Sequence, residues 1–166
     1  MYSYFNNKIL KIIPIVFLIV LISKLMYTYN DANKRESEFA KQEARILYDY
    51  VSANRAYHRA LFTNGSLTLN SNTIQILPSF SSNKISKDFS EKNSLNITIK
   101  TVSDNARNSV NTADDNELKA IKYFKKNKEA KEYFKNKDNK YYQYAHVLKV
   151  EKACLECQGK KEDAPQ

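Results

Sequence analysis

The sequence predicts an α+β fold, a small antiparallel-sheet domain behind one N-terminal membrane helix. Three observations carry that expectation. An apolar run occupies residues 9–26, apolar residues at helical spacing follow over 31–62, and apolar residues alternate over 95–102 and 141–150. The resulting order of helix, strand, helix, strand suits a two-layer α+β domain.

The first element is apolar apart from Lys11, Pro14, Ser23 and Lys24, and its uninterrupted core is 15–22. Its length is near the ~20 residues that cross the hydrocarbon of a bilayer. Lys11 and Lys24 can snorkel to opposite interfaces, and Tyr2, Tyr4, Tyr27 and Tyr29 supply interfacial rings. After Ile22 the chain reads Ser-Lys-Leu-Met-Tyr-Thr-Tyr, without the small-x-small pattern of a cleaved signal peptide. The expected layout is a cytoplasmic N-terminus at 1–8, a single transmembrane helix at 9–28 and an extracytoplasmic domain at 30–166. Lys8, Lys11 and the α-amino group set that orientation across a bacterial inner membrane. A periplasmic location would permit disulfides and thioether chemistry.

Over residues 31–62, Phe39, Ile46, Leu47, Tyr50, Val51, Tyr57, Leu61 and Phe62 suggest one buried helical face. Thr63-Asn64-Gly65 should end that helix. His58 follows Leu47, Val51 and Asn54 in steps of four, three and four, which puts it on the inward stripe. Residues 66–93 are rich in Ser and Asn and read as a loop with a short helix at 85–89. A half-buried strand is expected at 95–102, then a polar connection over 103–111. Asp114, Asp115 and Glu117 favour the start of a helix running to Lys126, with Leu118, Ile121 and Phe124 on one side. A second short helix is expected at 129–135. The strand at 141–150, with Tyr142, Tyr144, His146, Leu148 and Val150 on one face, leads to Cys154.

The charge is +9, from 27 basic and 18 acidic residues. Residues 1–30 hold three lysines and no acid, which leaves 24 basic against 18 acidic side chains, or +6, for the other 136 residues. Those bases are interleaved with acids, and no nucleic-acid-binding motif accompanies them, so a solvated lysine-rich surface is expected and nucleic acid is not a partner. The length suits one domain. There is no Ser/His/Asp arrangement, phosphate-cradling glycine loop or telling carboxylate pair, so no enzyme is expected.

Cys154-Leu155-Glu156-Cys157-Gln158 carries the chemistry. Cys-x-x-Cys-His joins two thiols to the vinyl groups of a haem c and gives the histidine to the iron. Gln158 stands where that histidine would be, so the motif is degenerate. Three readings stay open for the pair: haem attachment, a disulfide or free thiols in an oxidising compartment, and a metal site. The chain has two histidines, His58 and His146, to offer as iron or metal ligands. A membrane-tethered thiol redox or electron-transfer protein is the alternative function. Lys152 and Lys160 could then favour a thiolate.

Thr101-Val102-Ser103-Asp104-Asn105-Ala106-Arg107-Asn108-Ser109-Val110-Asn111 resembles the Ser-x-x-x-Arg-Asn-Pro-x-Asn motif of the single-haem-c sensor domains related to the cyanobacterial Tll-type haem protein. Glu117, Tyr144-Ala145 and Asp163-Ala164-Pro165 fit the same pattern, and the resemblance covers about residues 35–165. It implies a PAS-like sensor domain of a bacterial receptor, with haem c on Cys154 and Cys157, a distal ligand at His58 and Arg107 at a haem propionate. Other carboxylate partners open to Arg107 are Asp104, Asp114 and Glu117. Asn108 and Asn111 are expected to bond nearby backbone in turns. Ser109 replaces the family's proline, and the chain stops at Gln166 where relatives continue. A truncated receptor is therefore expected, its signalling partner or output domain lying outside this chain.

Overall fold

The computed structural model describes residues 2–106, 108–137 and 141–148, with side chains described from Leu10 onward. The chain divides into two compact units, Met1–Glu43 and Ala44–Gln166. Helix α1, Tyr2–Thr63, is one uninterrupted element in place of the two helices expected at 9–28 and 31–62. The polar connection at Asn30-Asp31 holds no helix-breaking residue, and Asp31 pairs with Arg35 one turn later at 2.7 Å. In the first unit, the side chains of Leu10, Ile12, Ile13 and 15–22 are exposed. By length and composition this helix can cross a membrane.

In the second unit α1 ends as its sequence predicts. Gly65 adopts a φ of 78°, which glycine reaches without steric cost. A 3-10 turn at Ile74–Ile76 leads into α2, Pro78–Lys92. This helix is three times longer than the expected five residues at 85–89. Its start was signalled by Pro78, whose fixed φ and missing N–H suit the first helical position. The serines that suggested a loop are instead its buried face: Ser81, Ser82 and Ser86.

Residues 95–102 form no ladder among the described residues, which corrects the expected strand. The alternation itself is real: Ile97, Ile99 and Thr101 are half-buried while Thr98 and Lys100 are exposed. The backbone here bonds to side chains. The Ile97 N–H donates to Asn93 Oδ1 at 2.8 Å, Asn93 Nδ2 donates to the Ile97 carbonyl at 2.8 Å, and the Ile99 N–H donates to Ser90 Oγ at 3.2 Å. These bonds satisfy three of the segment's backbone groups without a partner strand.

The connection at 103–111 contains a parallel bridge, Ser103 to Thr112, and a 3-10 turn at Ser109–Asn111. Asn108 Oδ1 accepts from the Val110 N–H at 3.1 Å, the turn role expected of it. Asn111 instead reaches α2, accepting from Asn83 Nδ2 at 3.0 Å.

Helix α3, Asp115–Lys126, opens on a reciprocal capping box. Asp114 accepts from the N–H groups of Asn116 and Glu117, and Glu117 accepts from the Asp114 N–H. Those backbone donors, the Glu117 N–H foremost, hold the Asp114 carboxyl below its ordinary range.

The helix expected at 129–135 is strand β1, Glu132–Lys137, and it pairs antiparallel with β2, Tyr141–His146. Cross-strand packing overrides the helix propensity of Glu and Lys. Phe134 stacks on Tyr142, the diagonal cross-strand neighbour two residues from its register partner Tyr144, with ring centroids 5.7 Å apart. Tyr123 of α3 lies 5.3 Å from the Tyr133 ring, and Asn116 Nδ2 donates to Tyr141 Oη at 2.9 Å. The observed class is α+β, as the sequence predicts. Among the described residues the buried apolar side chains are small, Ala113 and Ala120. The unit is therefore fastened as much by polar contacts as by a core.

Candidate functional site

Residues 44–63 of α1 carry two sets of inward side chains. Near the end, Arg55 and His58 meet α2. Arg55 Nη1 donates to the Pro78 carbonyl at 3.1 Å and to Ser82 Oγ at 3.2 Å. His58 Nδ1 lies 2.8 Å from Ser81 Oγ, and the Ser81 hydroxyl donates to the Leu77 carbonyl at 3.1 Å. With the Ser81 hydrogen on the Leu77 carbonyl, His58 Nδ1–H is the donor to Ser81 and Nε2 carries the lone pair; in the other tautomer Ser81 donates to Nδ1. The serines matter by size as well as polarity, because a short side chain lets α2 approach α1.

Earlier on the same helix, Arg45 and Tyr48 meet the hairpin. Arg45 forks onto Glu132, with Nε to Oε2 at 2.8 Å and Nη2 to Oε1 at 2.5 Å. Tyr48 stacks on His146 with centroids 3.8 Å apart and planes 19° apart. His146 Nδ1 donates to the Val147 carbonyl at 3.1 Å, which again leaves Nε2 as the acceptor in the neutral ring. Tyr144 Oη donates to Glu132 at 3.4 Å. Burial and the Glu132 charge push the Tyr144 phenol up to about 12.

His58 and His146 thus each have Nδ1 engaged, by two different elements. A nitrogen lone pair fixed by a bond at the other ring nitrogen is the donor that an axial iron site needs. His146 fits that chemistry, and so does His58 in the tautomer that donates to Ser81. No three His, Cys, Asp or Glu side chains gather as a metal-binding group among the described residues. Cys154, Cys157, Gln158 and Arg107 lie outside the described residues. The carboxylates named as partners for Arg107 have other cations beside them. Lys125 pairs with Asp104, and Lys100 lies 3.2 Å from Glu117 and 3.9 Å from Asp114.

Sequence reasoning missed Ser81 and Ser82, the residues that seat His58 and Arg55. A usable signal was Pro78, which marks the helix that presents them. It also missed Tyr48, whose contact with His146 depends on a register that no local pattern reveals.

Neither the curated proteins nor the solved structures include a match to this chain. Among protein families, the Tll0287-like description matches residues 33–166. That span contains both docked histidines and the Cys-x-x-Cys pair and covers well over half of the sequence, so the chain belongs to the Tll0287-like family.

Proposed function

We propose that this chain is a membrane-anchored, non-catalytic sensory domain of the haem c type. The observation that carries the reading is the Tll0287-like match over residues 33–166, which begins within a helix whose earlier part is apolar enough to cross a bilayer. The N-terminus would lie in the cytoplasm and the sensor domain in the periplasm of a bacterial inner membrane. Cys154 and Cys157 would hold the haem by thioether bonds. His58, with Nδ1 engaged by Ser81, is the first candidate to present a nitrogen lone pair. His146 is the second candidate. Arg107 would neutralise a propionate.

When bound, the haem supplies an iron whose ligation or redox state can change. The chain's part is to answer that change. Any shift at His58 alters the Ser81 contact and with it the packing of α2 on α1. Transmission further would engage a signalling partner or an output domain.

The test expresses the full chain alongside haem maturation machinery. It reads two things: retention in alkali-washed membranes, and a Soret band that stays with the denatured polypeptide. A retained, covalently coloured protein is expected, with stronger colour for Gln158→His. Release into the wash would defeat the anchoring. A colourless chain in both forms would defeat the haem.

A further inference from the structure

We infer that residues 46–60 of α1 form a self-association seam occupied by a second copy of this chain, side by side and parallel. The sequence suggested one buried face containing Phe39, Ile46, Tyr50 and Tyr57 along with Leu47, Val51, Leu61 and Phe62. The structure separates them. Leu47, Val51, Leu61 and Phe62 are half-buried, whereas Ile46 is 68%, Tyr50 65% and Tyr57 64% exposed.

Ile46, Tyr50, Ala53, Tyr57 and Ala60 follow one another in steps of four, three, four and three, and all five are exposed. That is the a/d spacing of a coiled coil, with Tyr50 and Tyr57 at a and Ile46, Ala53 and Ala60 at d. In this register Tyr48 and Arg55 fall at f, Arg45 at c and His58 at b. Those are the residues that hold the hairpin and α2. The helix thus carries its own domain on the side away from the seam and leaves the seam bare.

The seam's borders point to a second copy. In a parallel pair each g position meets the partner's e position five residues on. Here Asp49 would meet Asn54 of the other copy, and Ala56 would meet Leu61. A carboxylate faces an amide donor, an apolar residue faces an apolar residue, and within 46–61 no like charges are opposed. The alternation of ring and alanine lets each tyrosine lie over the small layer beside it. In the first unit the same spacing is written in the sequence at Ile15, Leu18, Ile22, Leu25, Tyr29 and Ala32, and Glu36 and Glu43 at a positions interrupt it before Ile46. The parallel sense rests on the anchoring proposed above, because two copies entering the lipid from one side run in one direction.

Ile46, Tyr50 and Tyr57 of two copies would bury on the order of 500 Å². A stable interface of standard size buries about 1,600 Å². The seam therefore needs the raised effective concentration that a shared membrane provides.

The test uses the full chain in host membranes, with Cys154→Ser and Cys157→Ser to remove the native thiols. Single cysteines are placed at Ile46, Tyr50, Ala53 and Tyr57, and at Ser52 as an off-seam control. Disulfide yield is normalised to maleimide labelling of each thiol in detergent. Same-position dimers at the four seam sites, several-fold above Ser52→Cys, are expected. Equal yields everywhere, no dimers, or a crosslink to a foreign chain would overturn the seam. Ile46→Cys joining only to Tyr57→Cys in mixed copies would overturn the parallel arrangement. Recovery of the chain in the aqueous fraction would count against anchoring alone, since the crosslink pattern reads the seam independently. As a second variant, Tyr50→Glu with Tyr57→Glu should give a monomeric mass in lipid discs at unchanged helix content. A persisting dimer would overturn the proposal.

Discussion

Helix α2 and the β1–β2 hairpin are fastened to the same stretch of α1 by different means. The α2 dock is close and small. It consists of Arg55 and His58 bonded to a carbonyl and two serine hydroxyls, with Ser81 and Ser82 buried. The hairpin dock is more exposed. It consists of one ion pair, with Arg45 and Glu132 side chains 47% and 30% exposed, and one ring stack. A buried small-residue contact is intolerant of added volume, whereas an exposed charge pair contributes little and is screened by salt. The two docks should therefore fail at very different costs, although both hold a histidine.

The largest expected effect comes from filling the α2 dock. Ser82 is 4% exposed, and Ser82→Leu forces new volume between the helices while removing an Arg55 acceptor. The expected loss is about 1–3 kcal/mol, read from urea unfolding of the full chain in micelles. Ser82→Ala, which keeps the volume small, should cost less. Equal costs for the two variants would mean that the dock depends on the hydroxyl and that close packing plays no part.

The next effect down is the ring stack of the hairpin dock. Tyr48→Leu preserves much of the apolar area and removes the stack on His146. About 0.5–1.5 kcal/mol should be lost beyond the area term. His146→Ala combined with Tyr48→Leu should cost less than the two separate losses added together. Full additivity would show that the rings are neighbours without coupling.

Smaller still is the Arg45–Glu132 pair. A double-mutant cycle of Arg45→Ala and Glu132→Ala should give a coupling below about 1 kcal/mol, shrinking as salt is raised. A coupling that salt leaves unchanged would place this dock in the same buried class as α2 and abolish the contrast.

The two docks also differ in how readily the sequence announces them. His58 was legible because the steps from Leu47 to Val51, Asn54 and His58 trace one helical stripe. Its partner Ser81 was hidden, because a serine-rich stretch looks like a loop until Pro78 is recognised as a helix start. The start of α3 was legible in its acids Asp114, Asp115 and Glu117, although the capping box between Asp114 and Glu117 went unread. Strand β1 was misread as a helix because Glu, Lys and Phe give no strong period over six residues, and only the pairing with β2 and the ring stack of Phe134 on Tyr142 decide the matter. The strand expected at 95–102 failed for the converse reason. Alternating burial survived, but Asn93 and Ser90 side chains took the bonds that a neighbouring strand would have used. Local chemistry was readable; side-chain partners distant in sequence were not. The cysteine pair spoke through its motif alone.

The smallest effect is a titration, and it tests the hairpin dock from within. Burial first, and the Glu132 charge second, push the Tyr144 phenol from its ordinary 10.0 up to about 12. A raised folded-state value means that the neutral phenol is the form the fold favours. Its contribution is present in full below pH 10 and is lost as pH rises through about 12. Glu132→Gln removes the charge that repels the phenolate and leaves the Arg45 guanidinium, which favours it. The Tyr144 titration, followed by phenolate absorbance against Tyr144→Phe, should therefore move down, while the part due to burial stays. An unmoved titration would mean that burial alone sets the phenol, and that Glu132 engages Arg45 without sensing the ring beside it.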